Sequence, residues 1–191
     1  KFRSGHVKKD KLKRYLTTTD DGYVIKLPIP TTITTPIYSN GNLMVSGGFR
    51  SKSFYSFNFK DGSLNWAIAL DDDGPSSAVS DGDQVIFNTE SCTIFAVDIE
   101  SGIMNWSLWL GDPLMSTPAL SEGYVYTSYP HAPNLFDTGI AKKYDHIRPS
   151  HPFACFDASN GEIVWQIWLD GDVMITPTIH GDDIYLTTNP G

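Results

Sequence analysis

Residues 96–106 have the sequence AVDIESGIMNW, and two other segments of the chain carry the same pattern. The other copies are SFNFKDGSLNW at 56–66 and CFDASNGEIVW at 155–165. In each copy a small residue is followed two positions later by an acid or amide, and then by a glycine and a tryptophan at intervals of four. Three copies in one register predict a repeat protein in which each copy builds one supersecondary unit.

The spacing of the copies gives the length of the repeat. The turn glycines are separated by 40, 40 and 59 residues, and they are Gly22, Gly62, Gly102 and Gly161. The residues that open each unit are separated by 41, 41 and 59 residues, and they are Thr35, Ser76, Thr117 and Thr176. Both markers indicate a period of about 40 residues, with an insertion of about 19 residues in the third full unit.

Each unit contains four short segments with strand-like alternation. Trp106, Leu108 and Leu110 are predicted to lie on one side of a strand, with the intervening residues on the other. Four short antiparallel strands in about 40 residues indicate a β-propeller blade, so the predicted fold is all-β with about four blades. The chain divides into a basic flexible lead at 1–13, a half unit at 14–28, full units at about 29–70, 71–110 and 111–169, and a partial unit at 170–191.

The repeated residues are predicted to build blades rather than to carry chemistry. The glycine supplies a positive φ at the turn, and the acid accepts hydrogen bonds from turn amides. The tryptophan is a large apolar plate with one indole donor, suited to docking between blades. These predicted structural residues are Gly62, Trp66, Asp98, Gly102, Trp106, Asp157, Gly161 and Trp165.

Charge is unevenly distributed along the chain. Residues 1–14 carry seven Lys or Arg and one acid, whereas the remaining residues carry seven basic and 21 acidic side chains, a net of −14. An acidic body repels phosphates, so nucleic-acid binding is not expected. No apolar run reaches the roughly 18 residues of a transmembrane helix, and no signal peptide is expected from the basic start.

Two cysteines are too few for a disulfide framework. Cys155 stands where the other copies have Ser56 and Ala96, which predicts a small buried residue. A bridge between Cys92 and Cys155 stays open at this point, as does their redox state.

The pattern A-x-D-x-x-x-G-x-x-x-W, preceded by a strand that begins with Thr-Pro, resembles the repeat of pyrroloquinoline-quinone (PQQ) enzyme-like β-propellers. That family includes quinoprotein alcohol dehydrogenases and the propeller lipoprotein of the bacterial outer-membrane β-barrel assembly machinery. The resemblance covers residues 14–191, and Lys26 and the pair Ser76-Ser77 depart from it. It implies a periplasmic or extracellular protein and a complete propeller of about eight blades, of which this chain would be part. Closure of the two half units into a four-bladed ring is the alternative.

The resemblance to the dehydrogenases does not extend to their cofactor residues. Those enzymes hold PQQ under a disulfide between adjacent cysteines, near a calcium ion. This chain has no adjacent cysteines, and residues 71–74 (DDDG) match a calcium loop only loosely. We therefore expect no catalytic residue, no metal and no cofactor, although the question of enzymatic activity stays open. PQQ and Ca²⁺ would be required if the chain were part of a dehydrogenase.

The insertion, at about 130–152, is the segment that the repeat does not explain. Long loops on rigid scaffolds are common places for function. A partner-contact or blade-capping loop is expected here, with the candidate residues His131, Asp145, His146, Arg148 and His151. A neutral excursion of the chain is an alternative. A metal site among these residues is the weaker alternative, because their spacing is not diagnostic.

The sequence thus favours a non-catalytic scaffold or protein–protein interaction module of the cell envelope or extracellular space. Its open blade faces are expected to favour self-association. One alternative is a fragment of a PQQ-dependent dehydrogenase that oxidises alcohols or sugars. Another is a carbohydrate binder that uses Trp109 and Trp168, although both are expected to pack within blades.

Overall fold

A computed structural model describes the chain over residues 5–6, 16–25, 34–48, 51–70, 72, 74–110, 117–129, 151–169, 171–173 and 175–190. Every regular element in these ranges is a β-strand, which confirms the all-β prediction. Within them no helix has the length and hydrophobicity needed to cross a bilayer.

Three successive antiparallel sheets form the blades. The chain begins with β1 (Gly5–His6), β2 (Leu16–Thr19) and β3 (Gly22–Ile25). Blade 1 contains β4 (Ile37–Ser39), β5 (Asn42–Ser46), β6 (Ser53–Asn58) and β7 (Leu64–Ala69). Blade 2 contains β8 (Ala78–Ser80), β9 (Gln84–Asn88), β10 (Thr93–Asp98) and β11 (Met104–Trp109). Blade 3 contains β12 (Ala119–Ser121), β13 (Tyr124–Ser128), β14 (His151–Asp157) and β15 (Ile163–Leu169).

The remaining strands form three two-stranded pairs. β2 and β3 form a hairpin before blade 1. The last four strands are β16 (Gly171–Asp172), β17 (Thr178–His180), β18 (Asp183–Tyr185) and β19 (Asn189–Pro190). β17 pairs with β18, and β16 pairs with β19. Three full blades flanked by half units are the partial propeller that the repeat spacing predicts.

The first strand of each unit is its inner strand. β4 lies beside β8, β8 beside β12, and β12 beside β17, so these strands follow one another from blade to blade. Each chain segment then moves outward through the second and third strands to the fourth. The fourth strand of blade 1 also pairs with β1, through Gly5 opposite Ala69 and His6 opposite Ile68. These two residues of the expected flexible lead therefore belong to a sheet, and the rest of 1–13 lies outside the described residues.

Two hydrophobic cores lie between consecutive blades. Between blades 1 and 2, the Phe54 and Phe87 rings stack with centroids 4.4 Å apart. Between blades 2 and 3, Ile94 of one blade packs with Val125 and Phe156 of the other. Blade 2 thus buries both of its faces, because alternate residues of a strand point to opposite sides of the sheet.

A β-bulge at one position in every blade positions the repeated tryptophan. The register shifts between Ser56 and Phe57 in blade 1, and at the equivalent positions of blades 2 and 3. After the bulge, Trp66 pairs with the small Ser56, as Trp106 pairs with Ala96. A bulge adds one residue to one strand and re-aims its side chains, here toward the next blade.

The indole of each tryptophan then docks on the turn of the following blade. Trp66 Nε1 donates a hydrogen bond to the Ile99 carbonyl at 2.9 Å, and Trp106 Nε1 donates to the Ala158 carbonyl at 2.8 Å. The rings lie over the turn glycines, so closely that a Cβ on Gly102 would be 2.7 Å from Trp66 Cδ2. A Cβ on Gly161 would be 2.6 Å from Trp106 Cε3. The turn therefore requires glycine for its space as well as for its backbone conformation.

Substitution of two glycines separates these requirements. Gly62 and Gly102 have φ of 70° and 71°, but a Cβ on Gly62 would have no described atom within 4 Å. Gly62→Ala should lower the free energy of unfolding by about 1–2 kcal/mol, the cost of a left-handed alanine. Gly102→Ala should cost about 1–3 kcal/mol more, because the methyl group overlaps Trp66. Urea unfolding of both variants measures the difference, and equal losses would contradict the docking role of Gly102.

Candidate interaction surface

Blade 3 has one face that the described residues leave largely uncovered. We call it the open face, and it carries Tyr126, Phe153, Trp165 and Ile167. Trp165 is 39% exposed, whereas its counterpart Trp66 is 7% exposed. Ile167 is 48% exposed, whereas its counterpart Ile68 is 8% exposed. Trp165 and Ile167, whose counterparts in blade 1 are buried, are thus exposed on blade 3, whereas Phe153 is buried.

The aromatic residues of the open face hold one another in place. The Trp165 ring lies 5.8 Å from that of Phe153 and 6.0 Å from that of Tyr126, measured between centroids. Trp165 pairs with Cys155 across the same kind of bulge that positions Trp66 and Trp106. Its position in the sheet is therefore the same as that of the two docked tryptophans.

Polar side chains join blade 1 to blade 2 and blade 2 to blade 3. Other residues stand at the corresponding positions of blade 3. In blade 1, Asn65 Nδ2 donates to Asn42 Oδ1 at 2.6 Å, and Asn42 Nδ2 donates to Glu100 Oε1 of blade 2 at 3.2 Å. In blade 2, Gln84 accepts from Asn105 and donates through Nε2 to the Ala158 carbonyl of blade 3 at 2.6 Å.

At the corresponding positions blade 3 has Tyr124 and Val164, both exposed. The open face is therefore more apolar than the two faces that are covered in the structure. The repeat pattern does not single out these positions, although the residue before the tryptophan changes from Asn65 and Asn105 to Val164.

Neither cysteine is placed as a reactive group. Cys92 and Cys155 are buried and do not form a disulfide with each other. Burial raises the pKa of the Cys155 thiol, and the hydrogen bond from its neighbour Tyr126 only partly opposes this effect. A neutral buried thiol is a poor nucleophile, so Cys155 acts as a small core residue beneath the open face.

The repeated acids organise turns. Asp98 Oδ1 accepts hydrogen bonds from the Ser101 amide at 2.7 Å and the Ser101 hydroxyl at 2.5 Å. Asp157 accepts the same two bonds from Ser159, at 2.8 and 2.6 Å. These bonds to serine lower the pKa of both carboxyls below the ordinary value of 3.8. Each carboxylate thus accepts hydrogen bonds from its own turn and stabilises it.

The structure corrects one boundary of the insertion. His151 begins β14, is buried, and pairs with Leu169. It is therefore a sheet residue and not part of an exposed contact loop, and Pro152 lies in the same strand. The other candidate loop residues, His131, Asp145, His146 and Arg148, lie outside the described residues.

Residues 71–74 match a calcium loop only loosely, and the structure describes the contacts of Asp72. Asp72, which precedes the first strand of blade 2, accepts a hydrogen bond from the Thr89 hydroxyl at 2.5 Å and another from the Ser91 hydroxyl. Its carboxylate therefore ties this connection to a turn of blade 2. Over the part of the chain that the structure describes, no three His, Cys, Asp or Glu side chains converge as metal ligands.

Comparison with known proteins gives the family. Residues 17–130 match the family described as outer membrane protein assembly factor BamB. The chain belongs to this family. The matched range runs from the β2–β3 hairpin through blades 1 and 2 to the second strand of blade 3. No curated protein sequence matches the chain.

Solved structures agree with the propeller fold. The crystal structure of BamB from Moraxella catarrhalis is similar with a TM-score of 0.61 and 22% identity, over 88% of this chain and 46% of that one. The computationally designed Ika4 protein gives a TM-score of 0.64 at 11% identity, over 90% of this chain and 93% of that one. A europium-containing methanol dehydrogenase gives 0.55 at 12% identity, over 72% of this chain and 25% of that one. The chain thus spans less than half of the similar BamB structure.

The turn carboxylates predict how stability depends on pH. The pKa values of the Asp98 and Asp157 carboxyls are lowered in the folded state, so the ionised carboxylates stabilise the fold above about pH 4. This contribution to stability is lost as the pH falls through the pKa of the folded state. The variant Asp98→Asn/Asp157→Asn should therefore lose less stability between about pH 5 and pH 2 than the parent chain. Urea midpoints across this range measure the effect, and parallel profiles would contradict it. Asn58 already occupies the equivalent position in blade 1, so the substitution fits the turn.

Proposed function

We propose that this chain is a non-catalytic propeller module that binds a protein component of outer-membrane protein assembly. The observation that carries the proposal is the match of residues 17–130 to the BamB family. The family description names an assembly factor, and a role in assembly requires contact with other proteins. The same match supports a location in the bacterial cell envelope.

The use of the repeated residues supports a scaffold role. Trp66 and Trp106 donate hydrogen bonds to the backbone of the following blade, and Asp98 accepts hydrogen bonds within its own turn. These contacts hold the blades and leave their connecting loops and exposed strands as surfaces for a partner. Rigid repeat arrays use such surfaces for binding.

The insertion remains the proposed partner-contact segment, now bounded by Tyr129 and His151. β13 ends at Ser128 and β14 begins at His151, whereas in blade 2 only residues 89–92 separate the equivalent strands. The insertion thus extends one connection of an otherwise regular blade, which is where a repeat protein can gain a specific contact without disturbing its packing.

Removal of the insertion tests this role. A variant in which residues 131–150 are replaced by a short Gly-Ser linker should keep its fold, since both flanking strands are retained. It should lose most of its capture of an outer-membrane assembly component from solubilised bacterial envelopes, identified by crosslinking and mass spectrometry. Lys60→Ala, in an exposed turn of blade 1, is the matched control and should capture normally. Unchanged capture by the deletion variant would remove the insertion from the contact, and capture of no assembly component by the parent chain would contradict the proposed function.

A dehydrogenase fragment is the second candidate, supported by the fold likeness to methanol dehydrogenase. The residues of this chain do not match the PQQ and Ca²⁺ sites of those enzymes, because its cysteines are not adjacent. The Asp72 carboxylate accepts hydrogen bonds from two hydroxyls. We derive no catalytic step from them.

Cofactor titration distinguishes the two candidates. The chain should show no saturable change in fluorescence with PQQ and Ca²⁺, because the adjacent-cysteine cover is absent from its sequence. It should also show no alcohol oxidation with a dye acceptor. Tight binding together with turnover would favour the dehydrogenase.

A further inference from the structure

The outer edge of blade 1 carries a strand that the repeat does not provide. β1 pairs with β7 through Gly5 opposite Ala69 and His6 opposite Ile68. Blade 1 therefore has five described strands, whereas blades 2 and 3 have four. Pairing at an outer edge uses backbone N–H and C=O groups that would otherwise face solvent. The β1 contact thus shows that the outer edge of β7 accepts an added strand.

The β7 edge lacks the features that usually protect an exposed edge strand. Residues 64–70 (LNWAIAL) contain no charged residue and no proline. Natural edge strands typically use charges, prolines or bulges to prevent pairing with another chain. The register shift of β7 lies at its start, between Leu64 and Trp66, so the strand is regular from Trp66 to Ala69. Among the described strands, β1 pairs with only the last two residues of this regular stretch.

Blade 1 has small side chains along this edge. Ala69, which is exposed, stands where β11 has Trp109 and β15 has Trp168. Ala67 stands where β11 has Ser107. Side chains of neighbouring strands contact one another directly opposite and diagonally, so alanines leave room for the side chains of an added strand. Of the three full blades, blade 1 is thus the best suited to accept a fifth strand.

Charges around β7 favour a basic occupant. Asp61 lies in the exposed turn before β7, and Asp72 follows the strand. The segment that contains β1 is basic, since residues 1–14 carry seven Lys or Arg and one acid, whereas the remaining residues have a net charge of −14. Opposite charges attract over about 8–10 Å at physiological ionic strength. The strand that occupies the edge therefore belongs to a segment with the charge that its surroundings favour.

We propose that the outer edge of β7 is a strand-addition site for a basic, extended polypeptide segment, and that β1 occupies this site within the chain. A partner that presents such a segment displaces β1 and pairs with β7 in its place. A segment that also pairs with Trp66 and Ala67 forms more backbone hydrogen bonds than β1 does. The proposal does not depend on the proposed function, because its tests require only this chain and a synthetic peptide.

Attachment to the chain makes β1 an effective competitor for the site. Only residues 7–15 separate β1 from β2. A short tether gives the attached strand an effective concentration on the order of mM. A free peptide of the same sequence should therefore bind weakly to the parent chain, and more tightly once β1 has been released from the edge.

Peptide binding tests the occupancy of the site by β1. The probe is a fluorescent peptide with the sequence of residues 1–14 (KFRSGHVKKDKLKR), and its anisotropy is measured against the protein concentration. The variant Gly5→Pro/His6→Pro removes the N–H groups with which β1 can pair. It should bind the peptide roughly tenfold or more tightly than the parent chain. A peptide that carries the same two prolines is the control and should not bind saturably. Equal affinities of the two proteins, or equal binding of the two peptides, would overturn the proposal.

A charge on the edge tests the position of the site. In the Gly5→Pro/His6→Pro chain, Ala69→Arg should weaken peptide binding roughly tenfold or more, because an edge charge opposes strand addition and repels a basic segment. Ile103→Arg is the matched control: it adds the same charge beside the outer strand of blade 2, at a side chain that is 53% exposed. It should change the affinity by less than about twofold. Equal effects of the two substitutions would mean that the peptide does not bind at β7.

Disulfide closure tests the same arrangement in the intact chain. Gly5 and Ala69 are opposite each other, so cysteines at these positions lie within reach of a disulfide. Oxidation of the Gly5→Cys/Ala69→Cys chain should weaken peptide binding roughly tenfold or more, and reduction should restore it. Gly5→Cys/Ile103→Cys is the control and should not close, and the native cysteines are buried. Failure of the first pair to close, or unchanged peptide binding after closure, would contradict the occupancy of the site by β1.

Discussion

The fold depends on the contact between an indole ring and the turn glycine of the next blade. Three local features must coincide for it to form. A bulge aims the tryptophan, a small residue such as Ala96 leaves room beneath the ring, and a glycine at positive φ allows the ring to approach its backbone. The indole donor is satisfied at the same time by a carbonyl of the same turn. Replacing a buried tryptophan by alanine typically costs about 3–5 kcal/mol, so each contact is a large part of the coupling between neighbouring blades.

These requirements explain why the fold could be predicted. Glycine, tryptophan and the turn acid are constrained by backbone geometry and ring size, so they recur at fixed spacing and are visible in one sequence. The β1 pairing was not predictable because Gly5 and His6 join the sheet through backbone hydrogen bonds, which leave no side-chain pattern. The repeat spacing gives the length of the insertion but not its exact ends. His151 therefore falls within the predicted segment 130–152, although β14 begins at this residue and continues through Pro152.

The candidate surface was harder to predict than the fold. Trp165 fits the repeat as well as Trp66 does, and sequence alone does not distinguish a docked from an exposed tryptophan. The distinguishing residues are Tyr124 and Val164, which stand where the other blades have the polar pairs Asn42–Asn65 and Gln84–Asn105. Their importance becomes visible only when the structure shows that each polar pair joins two blades. The residues that all blades share can therefore be recognised in the sequence. The effect of a residue that differs between blades depends on the blade that lies next to it.

The long connection between β13 and β14 also affects the order in which the protein folds. Blade 2 joins its second and third strands through residues 89–92, whereas blade 3 joins them through residues 129–150. Closing the longer loop costs about 1–2 kcal/mol more chain entropy, since each doubling of loop length adds about 0.6 kcal/mol. The outer hairpin of β14 and β15 is joined by a short turn and does not have this cost. Blade 3 should therefore form its outer hairpin first and complete its sheet late, so that folding proceeds from the first two blades toward the open face.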